Sequence, residues 1–254
     1  MLKERVIPCL LLKNGGLVKT TKFRDPKYVG DPINAIRIFN EKEVDELLVL
    51  DIAASRERRE PNFDLIGQFT GECFMPLCYG GGIRSLDQAR RLFALGIEKV
   101  CLQTAVLDDL TLISSIADQY GNQAVVASID IKKAMFRGYR LYSSARGGYL
   151  EKAWHQHLID VVRAGAGEVM LNAVDRDGTM EGMDLELICQ AAGSISVPLI
   201  AVGGVGSLCD IRAAVDAGAS AVAAGAFFVF HGPHRAVLIT YPSYQELQTL
   251  LLRK

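Results

Sequence analysis

The chain has 254 residues, 50% of them hydrophobic, and a formal net charge of −1. No lysine- or arginine-rich block marks a nucleic-acid or anionic-membrane partner, and the apolar run in MLKERVIPCLLLK, broken by Pro8 and Cys9, is too short for a secretory leader or a span of about 20 residues. Cys9, Cys73, Cys78, Cys101, Cys189 and Cys209 lack C-x-x-C or Cys/His ligand spacing and read as reduced, mostly buried thiols of a cytoplasmic protein; His155 and His157 cannot share a helix face, so neither metal nor cofactor is expected.

Along the chain, short β-branched or leucine-rich runs predict strands over 5–12, 46–51, 76–79, 98–103, 123–130, 167–172, 198–202 and 220–224. Between them, helical apolar spacing covers 31–43, 61–71, 85–95, 108–119, 150–164, 184–193 and 207–217; Leu86, Ala89, Leu92 and Phe93 mark the third. A last helix over 243–253 opens on Ser243 with Glu246 three residues on, the capping-box spacing. The irregular stretch 131–149 alternates apolar and polar residues and predicts a small hairpin after the fifth strand.

Residues 76–107 match 198–229 without a gap: Pro76, Leu77, Gly81, Gly82, Ser85, Leu86, Arg90, Gly96 and Val100 recur as Pro198, Leu199, Gly203, Gly204, Ser207, Leu208, Arg212, Gly218 and Val222. Eight β/α units with a half-length repeat and no linker predict one α/β domain over 1–254, a single (β/α)8 TIM barrel built from two half-barrels. In both copies the glycines follow a strand and precede a helix, which places them on the rim where active sites of this fold lie. Gly81 and Gly82, with Gln103 and Thr104 as second wall, form one candidate phosphate cradle. Gly203 and Gly204, with Ala224 and Gly225, form the other. Two matched cradles suggest a ligand with a phosphate at each end.

RVIPCL, Lys19, LDIAAS at 50–55, GGGIRS at 80–85, ASID at 127–130, GAGE at 165–168, DRDGT at 175–179 and AVGGVGS at 201–207 together resemble the cyclase subunit of imidazole glycerol phosphate synthase over almost the whole chain. The resemblance implies a HisF-like barrel that takes ammonia from a HisH-like glutaminase and uses it in a lyase and ring-closing reaction on a bisphosphate ribonucleotide. It implies Asp130 as one of a catalytic acid/base pair, with Gly178 of DRDGT among the phosphate contacts. The other aspartate of the pair should directly follow IPCL, where this chain has Leu11, a side chain that neither gives nor takes a proton. Asp51, Asp177 and Lys19 lie on the same rim as possible auxiliaries. Ala53 and Gly225 also depart from the family's usual threonine and serine.

The resemblance further places Arg5, Glu46, Lys99 and Glu168 in a ring of charges closing an ammonia entrance at the base of the barrel. KYVGDPINAIRIFNEKEVDELLVLDI and FVFHGPHRAVLITYP resemble a branch linked to acetamidino modification of surface-polysaccharide sugars, in which the barrel serves an ATP-dependent sugar amidotransferase. The sequence therefore predicts an ammonia-delivering subunit. The alternatives are a histidine-pathway cyclase with an altered acid/base pair and, less well matched, a phosphosugar isomerase, which would also need the missing aspartate.

Overall fold

A computed structural model describes residues 4–232 and 234–252. Eight parallel strands close on themselves: β1 (Arg5–Lys13), β2 (Leu47–Asp51), β3 (Leu77–Gly80), β4 (Lys99–Leu102), β5 (Val125–Ala134), β6 (Glu168–Ala173), β7 (Leu199–Val202) and β8 (Ala221–Ala224). Each pairs with its neighbours in sequence, and β8 pairs with β1, with Arg5 opposite Ala221 and Ile7 opposite Ala223. Helices α1 (Pro32–Glu41), α2 (Phe63–Glu72), α3 (Leu86–Ala94), α4 (Thr111–Tyr120), α5 (Trp154–Arg163), α6 (Leu185–Ala192) and α7 (Leu208–Asp216) follow the first seven strands. A one-turn helix, Ala226–Val229, follows β8, and α8 (Tyr244–Leu251) ends the described chain behind the predicted capping box of Ser243 and Glu246. The fold is the expected (β/α)8 barrel.

The internal repeat holds to the residue. Adding 122 to the bounds of β3, α3 and β4 gives those of β7, α7 and β8. Ser85 and Ser207 cap α3 and α7 in the same way, each accepting a bond from the backbone N–H three residues on. The apolar faces of the helices pack on the outside of the barrel in a core that includes Phe39, Phe69, Leu92 and Ile116. Alternate strand residues point inward and pack a second core from Ile7, Cys9, Leu48, Cys78, Cys101, Val126, Met170, Ile200, Ala221 and Ala223.

Three expectations need correction. Residues 16–30, to which the sequence reading assigns no element, form two antiparallel arms, Gly16–Thr21 and Arg24–Gly30, the first paired to β1. Their signal is in the sequence: Asn14 and Gly15 both have positive φ, as a two-residue hairpin turn demands. The predicted helix starts at 108 and 150 move to Thr111 and Trp154, because Asp109 binds the Thr111 N–H and Leu150 still pairs with Leu141 of the hairpin. That hairpin, predicted over 131–149, extends β5 to Ala134 and returns through Gly138–Ser143. All six cysteines are free, but only Cys9, Cys78 and Cys101 are buried; Cys189 and Cys209 are exposed. No described helix is long and apolar enough to cross a membrane.

Candidate functional site

The C-terminal ends of the strands surround a cavity of about 650 Å³. It is lined by every rim residue singled out from the sequence: Leu11, Lys19, Asp51, Asp130, Asp177 and Gly178, both glycine pairs, Gln103, Thr104, Ala224 and Gly225. Its floor is made by Cys9, Cys101, Met170 and Ala223, which also belong to the inner core.

The two glycine loops are conformational twins, with φ of 115° and 76° at Gly81 and Gly82, and 102° and 101° at Gly203 and Gly204. A side chain there would meet the preceding rim loop: a Cβ on Gly81 would fall 2.4 Å from the Asp51 carbonyl oxygen, and one on Gly204 2.2 Å from that of Gly182. Loop packing alone therefore requires these glycines. Their donors differ. The Gly82 N–H reaches Ser55 Oγ at 3.3 Å, whereas the N–H groups of Gly204 and Val205 donate to none of the described residues. At the head of α7, Gly206 and Ser207 give their N–H groups to Asp210, which takes up donors otherwise free for an anion.

The carboxylates divide by environment. Asp51 accepts bonds from the N–H groups of Ala53 and Ala54, both 3.0 Å, and faces Arg59 at 3.5 Å, so its bonds shape its own loop. Asp130 is buried, and its carboxylate accepts no bond from the described residues. Burial, with the charge of Asp177 nearby, pushes its carboxyl up to about 7, so near neutrality it exists both with and without its proton. Asp177 is also raised by burial, against the opposing bonds from Phe23 and Thr20. Those bonds tie down the hairpin of residues 16–30: Thr20 Oγ1 and the Phe23 N–H reach Asp177 Oδ2 at 2.8 and 3.1 Å, and the Lys22 N–H reaches its carbonyl at 2.9 Å. Gly178 lies so close beneath that a Cβ would fall 2.0 Å from the Thr20 oxygen. The hairpin is thus a flap latched over the cavity, and it carries Lys19 inward. Buried Lys19 donates to the Cys9 carbonyl.

Sequence reasoning missed Ser55, Thr20 and Asn172. Asn172 sits beside Asp130 in the sheet, and its Oδ1, like Gln103 Nε2, is buried without a partner among the described residues. One acceptor and one donor left open in the same cavity are what a polar ligand would satisfy. At the other end of the barrel, Lys99 Nζ lies 2.9–3.0 Å from both Glu46 oxygens and 2.9 Å from Glu168, and Arg5 bonds both glutamates. Burial alone would lower both cations, but the two carboxylates outweigh it and raise them. No described cluster of three or more His, Cys, Asp or Glu side chains is arranged to hold a metal ion.

Residues 5–233 match the family model described as "Histidine biosynthesis protein". A Pseudomonas aeruginosa protein provisionally named imidazole glycerol phosphate synthase subunit hisF2 is 54% identical, covering 97% of this chain and 99% of its own length. A provisionally named HisF subunit from Leptospira interrogans is 46% identical over 98% of this chain and 99% of its own. The imidazole glycerol phosphate synthase subunit HisF of Frankia casuarinae is 39% identical over 89% and 90%. With the barrel, the duplicated glycine loops and near-complete coverage by these relatives, the chain belongs to the histidine biosynthesis protein family, among barrels similar to the HisF cyclase subunit.

Proposed function

We propose that this barrel receives ammonia from a HisH-like glutaminase at its base and delivers it at the rim for C–N bond formation, in acetamidino modification of a surface-polysaccharide sugar by an ATP-dependent amidotransferase. The observation that carries the reading is the ring of Arg5, Glu46, Lys99 and Glu168, whose charges satisfy one another across the base of the lumen. Above it the inner core packs Ile7, Leu48, Cys78, Val126, Ile200 and Ala221, and the buried Ser128 hydroxyl stands level with Met170 at the cavity floor. Neutral ammonia moves into such surroundings at little cost, whereas ammonium would have to shed its hydration. Leu11 supports delivery rather than cyclisation: it faces the cavity where the resemblance implies the first catalytic aspartate. Numbered names such as hisF2 and hisF3 among the relatives fit a copy additional to a histidine-pathway subunit.

The second reading, a cyclase with a rearranged pair, draws on Asp130 with Asp177 as neighbour. The test of delivery is Lys99→Ala in the complete assembly. Glutamine-dependent product formation should fall while activity with added ammonium salts survives, because external ammonia does not pass the ring. If the two fall together, the ring is structural and the delivery reading is wrong.

A further inference from the structure

Two departures from the family pattern, Leu11 and Gly225, converge on Lys19. A Cβ on Gly225 would stand 2.3 Å from Lys19 Nζ and 3.1 Å from the Cys9 carbonyl oxygen, so the glycine leaves the space that the amine occupies. The amine has one protein acceptor, the Cys9 carbonyl, and forms no ion pair among the described residues. Leu11, two residues beyond Cys9 on the same strand and lining the same cavity, offers it no charge. An ammonium buried with a single carbonyl acceptor is poorly solvated, and burial pushes Lys19 below the ordinary lysine range despite the opposing influence of Cys9 and Asp177. A desolvated lysine amine in a polar-rimmed pocket is the usual form of a carbonyl nucleophile.

We propose that Lys19 is such a nucleophile: its amine condenses with a phosphorylated aldehyde or ketone held in the rim cavity and forms an imine. The nitrogen lone pair adds to the carbonyl carbon to give a carbinolamine. The former carbonyl oxygen then leaves as water, carrying in the net balance the two hydrogens of the amine. Asp130 lines the same cavity and supplies a proton to the departing oxygen, regaining one from nitrogen. Imine formation requires neither ammonia nor a glutaminase, so the proposal does not rest on the delivery reading.

The test uses the full chain with ribulose 5-phosphate as probe, sodium borohydride to trap imines, and peptide mapping to locate the label. Lys19 should be labelled faster than the exposed Lys27 and Lys42, since a lowered amine pKa raises the uncharged, nucleophilic fraction. Gly225→Ser, shown folded by its circular dichroism, should lose the fast label because its side chain takes the space of the amine. Inorganic phosphate should protect Lys19; a fast Lys19 label without that protection keeps the nucleophile and removes the phosphate cradles. Label spread over exposed lysines with Lys19 unmodified overturns the proposal. So does unchanged fast labelling of Lys19 in folded Gly225→Ser. The free chain is assayed throughout, so these outcomes are independent of whether ammonia is delivered through the barrel.

Discussion

Replacing Lys99 by Met should leave Glu46 and Glu168 facing one cation, Arg5, in place of two. Removing one partner from a buried ionic cluster costs about 3–5 kcal/mol. The ring is not fully dry: the side chains of Lys99 and Arg5 are 16% and 22% exposed, against 4% for Glu46, which argues for the low end of that range. A loss of about 3 kcal/mol in a domain of this size lowers Tm by about 6–12 °C. Adding Glu46→Gln restores neutrality, and the amide oxygen it introduces can still accept from Arg5, so the double variant should recover part of the loss. Thermal melts followed by circular dichroism measure both changes. A fall below about 2 °C, or a double variant worse than Lys99→Met, would show that the four charges do not act as one ring.

Asp130→Asn should gain stability relative to wild type as pH rises from 4 to 8, by up to about 4 kcal/mol. The wild-type carboxyl, raised to about 7, holds its proton in the folded state over a range where the unfolded chain has lost it. Urea melts across this range check the trend, and a constant difference would refute it. Thr20→Val removes a bond to Asp177 and should speed tryptic cleavage after Lys22 or Arg24 about tenfold, whereas unchanged cleavage would mean that the latch does not hold the flap. Gly178→Ala should loosen the same flap, because the residue has φ +65° and a Cβ would overlap the Thr20 oxygen; hydrogen exchange at Lys22 and Phe23 reads that loosening directly.

The barrel was legible because its periodicities are strong and because the repeat fixes two quarters of it against each other: β3, α3 and β4 and their copies could be placed without knowing any contact. Rim residues were legible as types at strand ends. What escaped depends on long-range proximity. Thr20 meets Asp177 across 157 residues, and no local pattern announces the pair. The flap strands escaped for a different reason: residues 24–28 are exposed, so the arm lacks the apolar alternation by which a half-buried strand is recognised, although Asn14-Gly15 marked its turn. Similarly, Gly225 appeared in the sequence as a cradle wall and a departure from the family's usual serine, and its spatial partner, the Lys19 amine, became evident only in the folded chain.

The central claim is that this family member delivers ammonia without carrying out the family's cyclisation. The most direct measurement is turnover of the bisphosphate ribonucleotide by the purified barrel with ammonia supplied, for wild type and for Leu11→Asp, which would restore the carboxylate at the end of β1. Losing one member of an acid/base pair costs about 10²–10⁴-fold, so the wild type should show little or no product and Leu11→Asp should gain. Wild-type turnover within about tenfold of an ordinary cyclase would contradict the account and return the chain to histidine-pathway chemistry with a rearranged pair.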